Sequence, residues 1–498
     1  MKARLLRGFV AILGGNVAVK LLTIAFVPVL VRFVGSDGYG DYAFVMSSMW
    51  LLLIVANSGI FTSIRKFLPE ERDREDWADE VYGFYLRLAV ALAAVVVAAV
   101  AALTAAGYVG AWFGEQFTGY FYLLCAMIVG TQFHSVTRSA LMAFGREPAS
   151  ETLHAAQKAA FVAVAIGFLL AGWHVTGVLV AFVLASVAVS VAGFVLLARN
   201  VSLRAAFSLP DAAFPRWELL SYNLLTILLM GATFSLYHVD IVLLQAFHGS
   251  RETGLYRASL QVAEFLWLVP IVIGTVFIHS LSELWSTGRD GLIEEISARA
   301  TRYTVVLTLL LAIGVAALAE PFVTLYFGRE FAPSVGPLLV LLPGAVGFAV
   351  ARQVFSVGQA KGDLRPLIAA TGTAAAINLL LNLVLIPPYG MWGAAIATSI
   401  GYGSMVVLHV RSAKAIGFDP LADLRAGPTA ATAILAAPVI FGASALIDSD
   451  VLALLAVPPL GFLVYAALAL KTGAVDPDEV ADLVDGLPAP VDRVAAWL

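Results

Sequence analysis

Polar side chains recur at helical spacing inside several long apolar segments. The first such segment carries Asn16, Lys20 and Thr23 on one face, because residues three or four apart share a face of a helix. Two later segments carry similar stripes: Thr131, Ser135 and Arg138 in one, and Arg352, Ser356 and Gln359 in the other. Arginine binds phosphate through two parallel hydrogen bonds and lysine binds it as a point charge. A cavity lined by Lys20, Arg138 and Arg352 would therefore suit a phosphate group.

The depth of each cation decides between binding and a simpler explanation. Arg138 and Arg352 lie near the predicted cytoplasmic ends of their segments, where long cationic side chains also extend to the membrane surface. Both interpretations stay open for these two arginines. Lys20 lies deeper, and an ionisable residue at the centre of a membrane span costs about 2.5–3.5 kcal/mol on insertion scales. A functional role is therefore favoured for Lys20.

Three ionisable residues form a second candidate group around residues 240–264. Asp240 and Arg257 lie on either side of a short turn, so a structural ion pair between two antiparallel helices is the favoured interpretation. Glu264 is deeper and has no partner nearby in sequence. It is the candidate for coupling transport to an H⁺ or Na⁺ gradient, or for an ion pair with Lys20 that acts as a gate.

Two asparagines lie one helical turn apart at Asn378 and Asn382. Asn378 is a candidate for hydrogen bonds to the hydroxyl groups of a ligand. The alternative is hydrogen bonding to neighbouring helices, which is the usual role of asparagine in lipid.

The elements that position these residues follow from composition. The chain is 60% hydrophobic and only 13% charged, whereas soluble domains carry about 25% charge. Charge-free runs at residues 88–108 and 303–318 approach or reach the roughly twenty residues that cross a bilayer. Such runs must be helices, because lipid cannot satisfy backbone polar groups. We predict an all-α polytopic membrane protein with about fourteen transmembrane helices.

Charge placement predicts orientation. Lysine and arginine concentrate in alternate loops, and the loops rich in these residues face the cytoplasm. Both termini are therefore predicted to be cytoplasmic, in a multi-pass protein of the inner or plasma membrane. The net charge of −4 indicates no particular partner, and no nucleic-acid partner is predicted.

Short sequence features recur at a nearly constant separation along the chain. The stretch beginning at Gly40 resembles the one beginning at Gly254, and the stretch at Gly177 resembles the one at Gly393. These separations predict a duplicated six-helix unit, with a binding site between the repeats as in many transporters. We predict an N-terminal lobe at residues 1–200 and a C-terminal lobe at residues 201–414. Two additional transmembrane helices at 415–471 and a polar cytoplasmic tail at 472–498 follow.

Three stretches resemble a known family. They are residues 33–42, which end at Tyr42, the pair Asp240 and Tyr256 with the residues around them, and residues 378–398 from Asn378 to Thr398. Taken in order, they are similar to the multidrug/oligosaccharidyl-lipid/polysaccharide (MOP) flippase superfamily, in its O-antigen-type (Wzx-like) polysaccharide flippase branch.

The resemblance implies two six-helix lobes that work by alternating access. It implies a transporter and not an enzyme, with no catalytic residues. The expected cargo is an oligosaccharide linked to polyprenyl or dolichyl phosphate or diphosphate, moved from the cytoplasmic to the outer leaflet for surface polysaccharide or glycoprotein glycan assembly. The protein is expected to contact membrane lipids and to function as a monomer.

Two other functions compete with this one. A MATE-like exporter of small cations would favour acidic and aromatic cavity residues. A membrane-embedded glycosyltransferase or polymerase would need a long hydrophilic loop that carries catalytic carboxylates. The sequence contains no Gly-rich phosphate loop, no zinc motif and a single cysteine, so neither ATP hydrolysis, a metal site nor another cofactor is predicted.

Overall fold

The computed structural model describes residues 2–70, 72, 76–198, 201–202, 214–268, 270, 274, 281, 284–362 and 364–479. Within these ranges it describes side chains from residue 19 onward, except those of residues 225 and 226. This part of the chain is built from α-helices joined by short turns.

Fourteen α-helices are described in chain order. They are α1 Lys2–Asn57, α2 Ile60–Phe67, α3 Trp77–Ala105, α4 Tyr108–Phe113, α5 Gln116–Ala143, α6 Glu147–Leu170, α7 His174–Leu197, α8 Arg216–Ala263, α9 Asp290–Ala317, α10 Ala319–Tyr326, α11 Val335–Lys361, α12 Arg365–Ile416, α13 Ala426–Ala445 and α14 Asp450–Thr472. Two 3₁₀ segments, Glu264–Trp267 and Arg329–Ser334, lie between them.

The three longest helices, α1, α8 and α12, each contain one glycine with non-helical backbone angles. These are Gly35, Gly249 and Gly390, with φ values of 67°, 78° and 53°. In α8 the hydroxyl of Tyr256 donates to a carboxylate oxygen of Asp240 at 2.5 Å, whereas a straight helix would place residues that far apart in sequence about 24 Å from each other. Helix α8 is therefore a helical hairpin that turns at its glycine. Positive φ makes glycine the residue suited to such a turn.

Ten helices in the described part of the chain are long and apolar enough to cross a membrane, with α1, α8 and α12 each counted once. The predicted class, a helical multi-pass membrane protein, is thereby confirmed. The count of fourteen transmembrane helices stays a prediction.

Backbone angles repeat along the chain as the sequence features do. Gly35 and Gly249 both have a ψ of −172°. Gly114 and Gly328 are separated by the same interval in sequence as that pair, and their φ/ψ values are 110°/151° and 109°/159°. The repeated unit predicted from sequence is therefore present in the backbone.

The two hairpin turns also contact each other reciprocally. A Cβ atom on Gly40 would overlap the backbone oxygen of Ser250, and a Cβ on Gly254 would overlap the backbone oxygen of Ser36. The sequence interval from Ser36 to Ser250 equals that from Gly40 to Gly254. The contact therefore joins equivalent positions of the two repeats.

The chain forms two compact units, which comprise residues 1–258 with 375–397, and residues 259–374 with 398–498. In the first unit, buried aromatic side chains pack together near the start of α3, among them Trp77, Tyr82 and Tyr85. In the second unit, α13 and α14 pack on each other through residues such as Ile440 and Val457. The lobe boundaries at residues 200 and 414 stay predictions.

An ion-pair network in the second unit involves the last described residues. Arg302 of α9 is fully buried and lies 2.5 Å from Glu479 and 3.2 Å from Asp423. Arg425 extends the network with a 2.7 Å ion pair to Asp476. Residues 476–479 are thereby tied to α9 and to the turn before α13.

Candidate functional site

Arg138 of α5 pairs with a buried carboxylate of the next helix. Its Nη2 atom lies 2.8 Å from Oε1 of Glu151, whose side chain is 2% exposed, while that of Arg138 is 20% exposed. The local sequence explains this geometry, because Pro148 in the first turn of α6 favours a helix start there. Glu151 therefore lies one turn inside α6, and its side chain faces α5.

Two histidines flank this ion pair. His134 lies one turn before Arg138 on α5, His154 lies three residues after Glu151 on α6, and their rings stack with centroids 5.9 Å apart. Four buried atoms of this cluster have no hydrogen-bond partner among the described residues. They are Nε2 of His134, Nε of Arg138, Oε2 of Glu151 and Nδ1 of His154. Unpartnered buried polar atoms are rare, and each calls for an explanation.

Further cations adjoin the cluster on both sides. Arg65 of α2 interacts electrostatically with Arg138 and Glu151. On the other side, Lys158 of α6 interacts with Lys20 of α1, and His154 interacts with both Lys158 and Arg138. We call Lys20, Lys158, Arg138 and Arg65 the cation row.

The structure thus brings together two of the predicted phosphate-binding residues through others that the sequence analysis did not select. Lys20 is exposed on α1. It interacts electrostatically with Lys158, and His154 interacts electrostatically with both Lys158 and Arg138. The side chain of Asn16 lies outside those that the structure describes. Lys158 could have been selected from the sequence as a site residue, because it is a lysine within an apolar segment, one helical turn past His154.

Asp240, for which an ion pair with Arg257 is predicted, binds a tyrosine. Asp240 is fully buried, and it accepts hydrogen bonds from the hydroxyl of Tyr256 at 2.5 Å and from the backbone N–H of Ile241 at 2.8 Å. Arg257 follows Tyr256 in the same arm of the hairpin and is half-buried. The tyrosine partner shows that Asp240 helps to join the two arms of α8, while the ion pair with Arg257 stays a prediction.

Arg352 belongs to the second unit and lies in different surroundings. Its guanidinium carbon is 5.0 Å from the ring centroid of Phe355, and no carboxylate of the described residues lies within ion-pair distance of it. The adjacent Gln353 is fully buried, and neither its amide oxygen nor its nitrogen has a partner in this part of the structure. His409 interacts electrostatically with Arg352. Arg352, Gln353 and His409 therefore form a polar cluster in the second unit.

Glu264, Asn378 and Asn382 complete the predicted set. Glu264 is half-buried at the start of a 3₁₀ segment. Asn378 and Asn382 are buried, and the amide nitrogen of Asn382 donates to the amide oxygen of Asn378 at 3.1 Å. The two asparagines therefore bond to each other along one arm of α12.

The second unit also contains an apolar cavity of about 530 Å³. It lies among α9, α10, α13, α14, the end of α8 and the 3₁₀ segment Glu264–Trp267. Every lining residue is apolar or glycine, including Phe265, Leu310, Phe322, Val457 and Phe462. Its lining matches the chemistry of a hydrocarbon chain.

The family of polysaccharide biosynthesis proteins matches residues 5–285, which is more than half of the chain. This chain belongs to that family. Among curated relatives, the probable low-salt glycan biosynthesis flippase Agl15 of Haloferax volcanii is 22% identical over 240 residues, covering 47% of this chain and 49% of the relative. The chain therefore spans about half the length of that relative.

Solved structures with the same fold include the lipid II flippase MurJ in an inward closed conformation. It shares 13% identity with this chain, with a TM-score of 0.76, and the match covers 92% of this chain and 98% of MurJ. An inward-facing multidrug resistance MATE family transporter of the MOP superfamily matches at 14% identity with a TM-score of 0.67, over 80% and 94% of the two chains. The predicted polysaccharide family and the fold shared with transporters of the MOP superfamily are confirmed.

Proposed function

We propose that this family member is a flippase that moves an oligosaccharide linked to polyprenyl or dolichyl phosphate or diphosphate from the cytoplasmic to the outer leaflet. The observation that carries the proposal is the cation row in the first unit, in a chain of the polysaccharide biosynthesis family. Neutral sugars joined to a lipid by phosphate place the negative charge of such a cargo at one point.

The charge balance of the row supports this cargo. Within it, Glu151 forms an ion pair with Arg138, whereas Lys20 and Lys158 lie close enough to repel each other. Holding like charges together inside a membrane protein is costly. An anion that binds between them would relieve this repulsion, and a phosphate group has the required charge and hydrogen-bond acceptors.

The apolar cavity of the second unit supports the lipid part of the proposal. Its lining of leucine, valine and phenylalanine side chains provides no hydrogen-bonding groups for a sugar. A polyprenyl chain needs none, because apolar packing alone accommodates it.

Transport is tested by a sidedness assay in proteoliposomes. The purified chain is reconstituted with a fluorescent lipid-linked oligosaccharide, and an external quencher reports the fraction that crosses. We expect protein-dependent crossing, reduced about tenfold in Lys20→Ala, which corresponds to about 1.4 kcal/mol. Lys471→Ala, which changes an exposed lysine at the end of α14, is the matched control and should transport normally.

The same vesicles separate the remaining possibilities. Absence of crossing together with uptake of small organic cations would replace this cargo by that of a cation exporter. Imposed H⁺ or Na⁺ gradients test whether transport is coupled to an ion, and Glu264→Gln tests the carboxylate proposed for coupling. Localisation in the cell membrane with cytoplasmic termini, and function as a monomer, are parts of the same proposal.

A further inference from the structure

Glu151 is an anion placed inside a group of cations. Its Oε1 atom binds Arg138 at 2.8 Å, while its Oε2 atom is buried and has no hydrogen-bond partner among the described residues. Arg138 is also only partly used, because its Nε atom is buried without a partner in the same described ranges. The pair is therefore held by one hydrogen bond, although an arginine and a carboxylate can form two in parallel.

We propose that Glu151 is an internal anion that competes with the phosphate of the substrate for Arg138. The inference rests on the proposed function for the identity of the ligand. The spacing of the oxygens in a phosphate group matches that of the N–H groups of the planar Arg138 guanidinium. It can engage both the Nη2 and Nε atoms, whereas Glu151 engages one.

Displacement would leave the Glu151 carboxylate buried beside a second anion. Two anions held together in a buried place repel each other. The charge of Glu151 therefore lowers the affinity of Arg138 for phosphate, and removing that charge should raise the affinity.

Other charged groups face Glu151 from the elements packed around it. They comprise His134 and Arg138 on α5, Arg65 on α2, Lys20 on α1 by way of Lys158, and Glu147, His154 and Lys158 on α6 itself. Helix α7 also packs on α6, and its ionisable residue is His174 in its first turn. Because these groups stay unchanged when Glu151 alone is substituted, the test compares variants under the same conditions.

The experiment measures binding of farnesyl diphosphate to the purified full chain in detergent, by titration calorimetry. Glu151→Gln keeps the shape of the side chain and removes its charge. We expect Glu151→Gln to bind the probe about tenfold more tightly than the unchanged chain, because the competing charge is gone.

Two further variants make the result specific. Glu115→Gln changes an exposed carboxylate of the first unit that lies outside this group, so its affinity should equal that of the unchanged chain. Arg138→Gln combined with Glu151→Gln should lose the gain, because the cation for which the two anions compete is gone. Thermal unfolding and gel filtration establish that each variant is folded.

The inference is overturned if Glu151→Gln binds the probe equally or more weakly than the unchanged chain, or if the double variant binds as tightly as Glu151→Gln alone. Either result would make Glu151 only a structural partner of Arg138. Failure of the proposed function is distinguishable from this. Absence of lipid-linked oligosaccharide crossing, together with tighter binding of the probe by Glu151→Gln, would reject the cargo and retain the competition.

Discussion

Arg138 and Arg352 occupy comparable helices of the two repeats but have different neighbours. The sequence interval between them equals that between the hairpin glycines Gly35 and Gly249. Arg138 is bound by a buried carboxylate, whereas Arg352 lies against the ring of Phe355 with no carboxylate partner in the described part of the second unit. The repeats thus share a cation and differ in its counter-charge.

This difference separates two ways of keeping an arginine inside a membrane protein. The charge of Arg138 is neutralised within the fold, so an incoming anion has to displace Glu151. Arg352 is only half-buried and is stabilised by a ring, which attracts a cation without cancelling its charge. Binding at Arg352 therefore requires no displacement, and binding at Arg138 does.

The largest effect is expected from removing the counter-charge in the first repeat. Glu151→Ala leaves the Arg138 charge inside α5 and α6 without its partner, which typically costs about 3–5 kcal/mol. Thermal or denaturant unfolding in detergent measures the loss. Glu147→Ala, four residues earlier and half-buried, should lose much less, and an equal loss in both variants would show that the ion pair is not responsible.

The next largest effect is expected at the reciprocal contact of the two hairpin turns, where the repeats are alike. Gly254→Ala puts a methyl group onto the backbone oxygen of Ser36, and overpacking of this kind costs about 1–3 kcal/mol. Gly40→Ala should cost a similar amount, because it makes the equivalent clash with Ser250. Gly372→Ala is the control, since no atom of the described residues lies within 4 Å of its added Cβ. A loss at Gly372 as large as at Gly254 would refute the steric explanation.

A smaller change in stability is expected at the second arginine. Arg352→Gln leaves no buried carboxylate of the described residues behind, so unfolding should change by less than about 1 kcal/mol. Transport of the lipid-linked oligosaccharide should nevertheless fall about tenfold, which is about 1.4 kcal/mol of lost binding or transition-state stabilisation. Loss of stability comparable to that of Glu151→Ala would reveal a counter-charge at Arg352 and remove the contrast between the repeats.

A modest, pH-dependent effect is expected in the network of Arg302. Burial raises the pKa of the Glu479 carboxyl, but hydrogen bonds from Arg302 and Tyr303 outweigh it and hold the pKa below its ordinary value of 4.5. Because the pKa is lowered on folding, the carboxylate stabilises the fold above pH 4.5, and this contribution is lost as the pH falls through the folded-state pKa. Its size should be about 1 kcal/mol.

Melting temperatures measured between about pH 7 and about pH 3.5 test this contribution. Glu479→Gln should melt lower than the unchanged chain near neutral pH, and the two should converge in acid. Asp478→Asn, next to Glu479 in sequence, is the matched control and should follow the unchanged chain. A difference that persists at low pH would assign the effect to packing and not to the charge.

The fold and the repeat could largely be predicted from the sequence, because they follow from long apolar segments and from features that recur at a fixed separation. Lys20 and Arg138 were selected because an ionisable residue within an apolar segment is costly. Glu151, the partner of Arg138, was not selected from the sequence. Helix α6 begins at Glu147, so Glu151 lies inside it. Pro148 marked that start in the sequence.

Other features depended on tertiary structure. The hydrogen bond from Tyr256 to Asp240 requires the particular turn at Gly249, which fixes how residues on the two arms pair. The sequence predicted an arginine partner at about the right distance along the chain. It contained no information that Tyr256 would also bind Asp240.

The reciprocal contact of the two turns has a consequence for the origin of the chain. Gly40 meets Ser250 while Gly254 meets Ser36, which is the pattern of an isologous interface, where the same patch is used on both partners. Two separate copies of a six-helix protein would make this contact as a symmetric dimer. Once the copies are covalently joined, each side of the contact is encoded separately. Selection can then alter the neighbours of Arg138 without altering those of Arg352, which a homodimer does not permit.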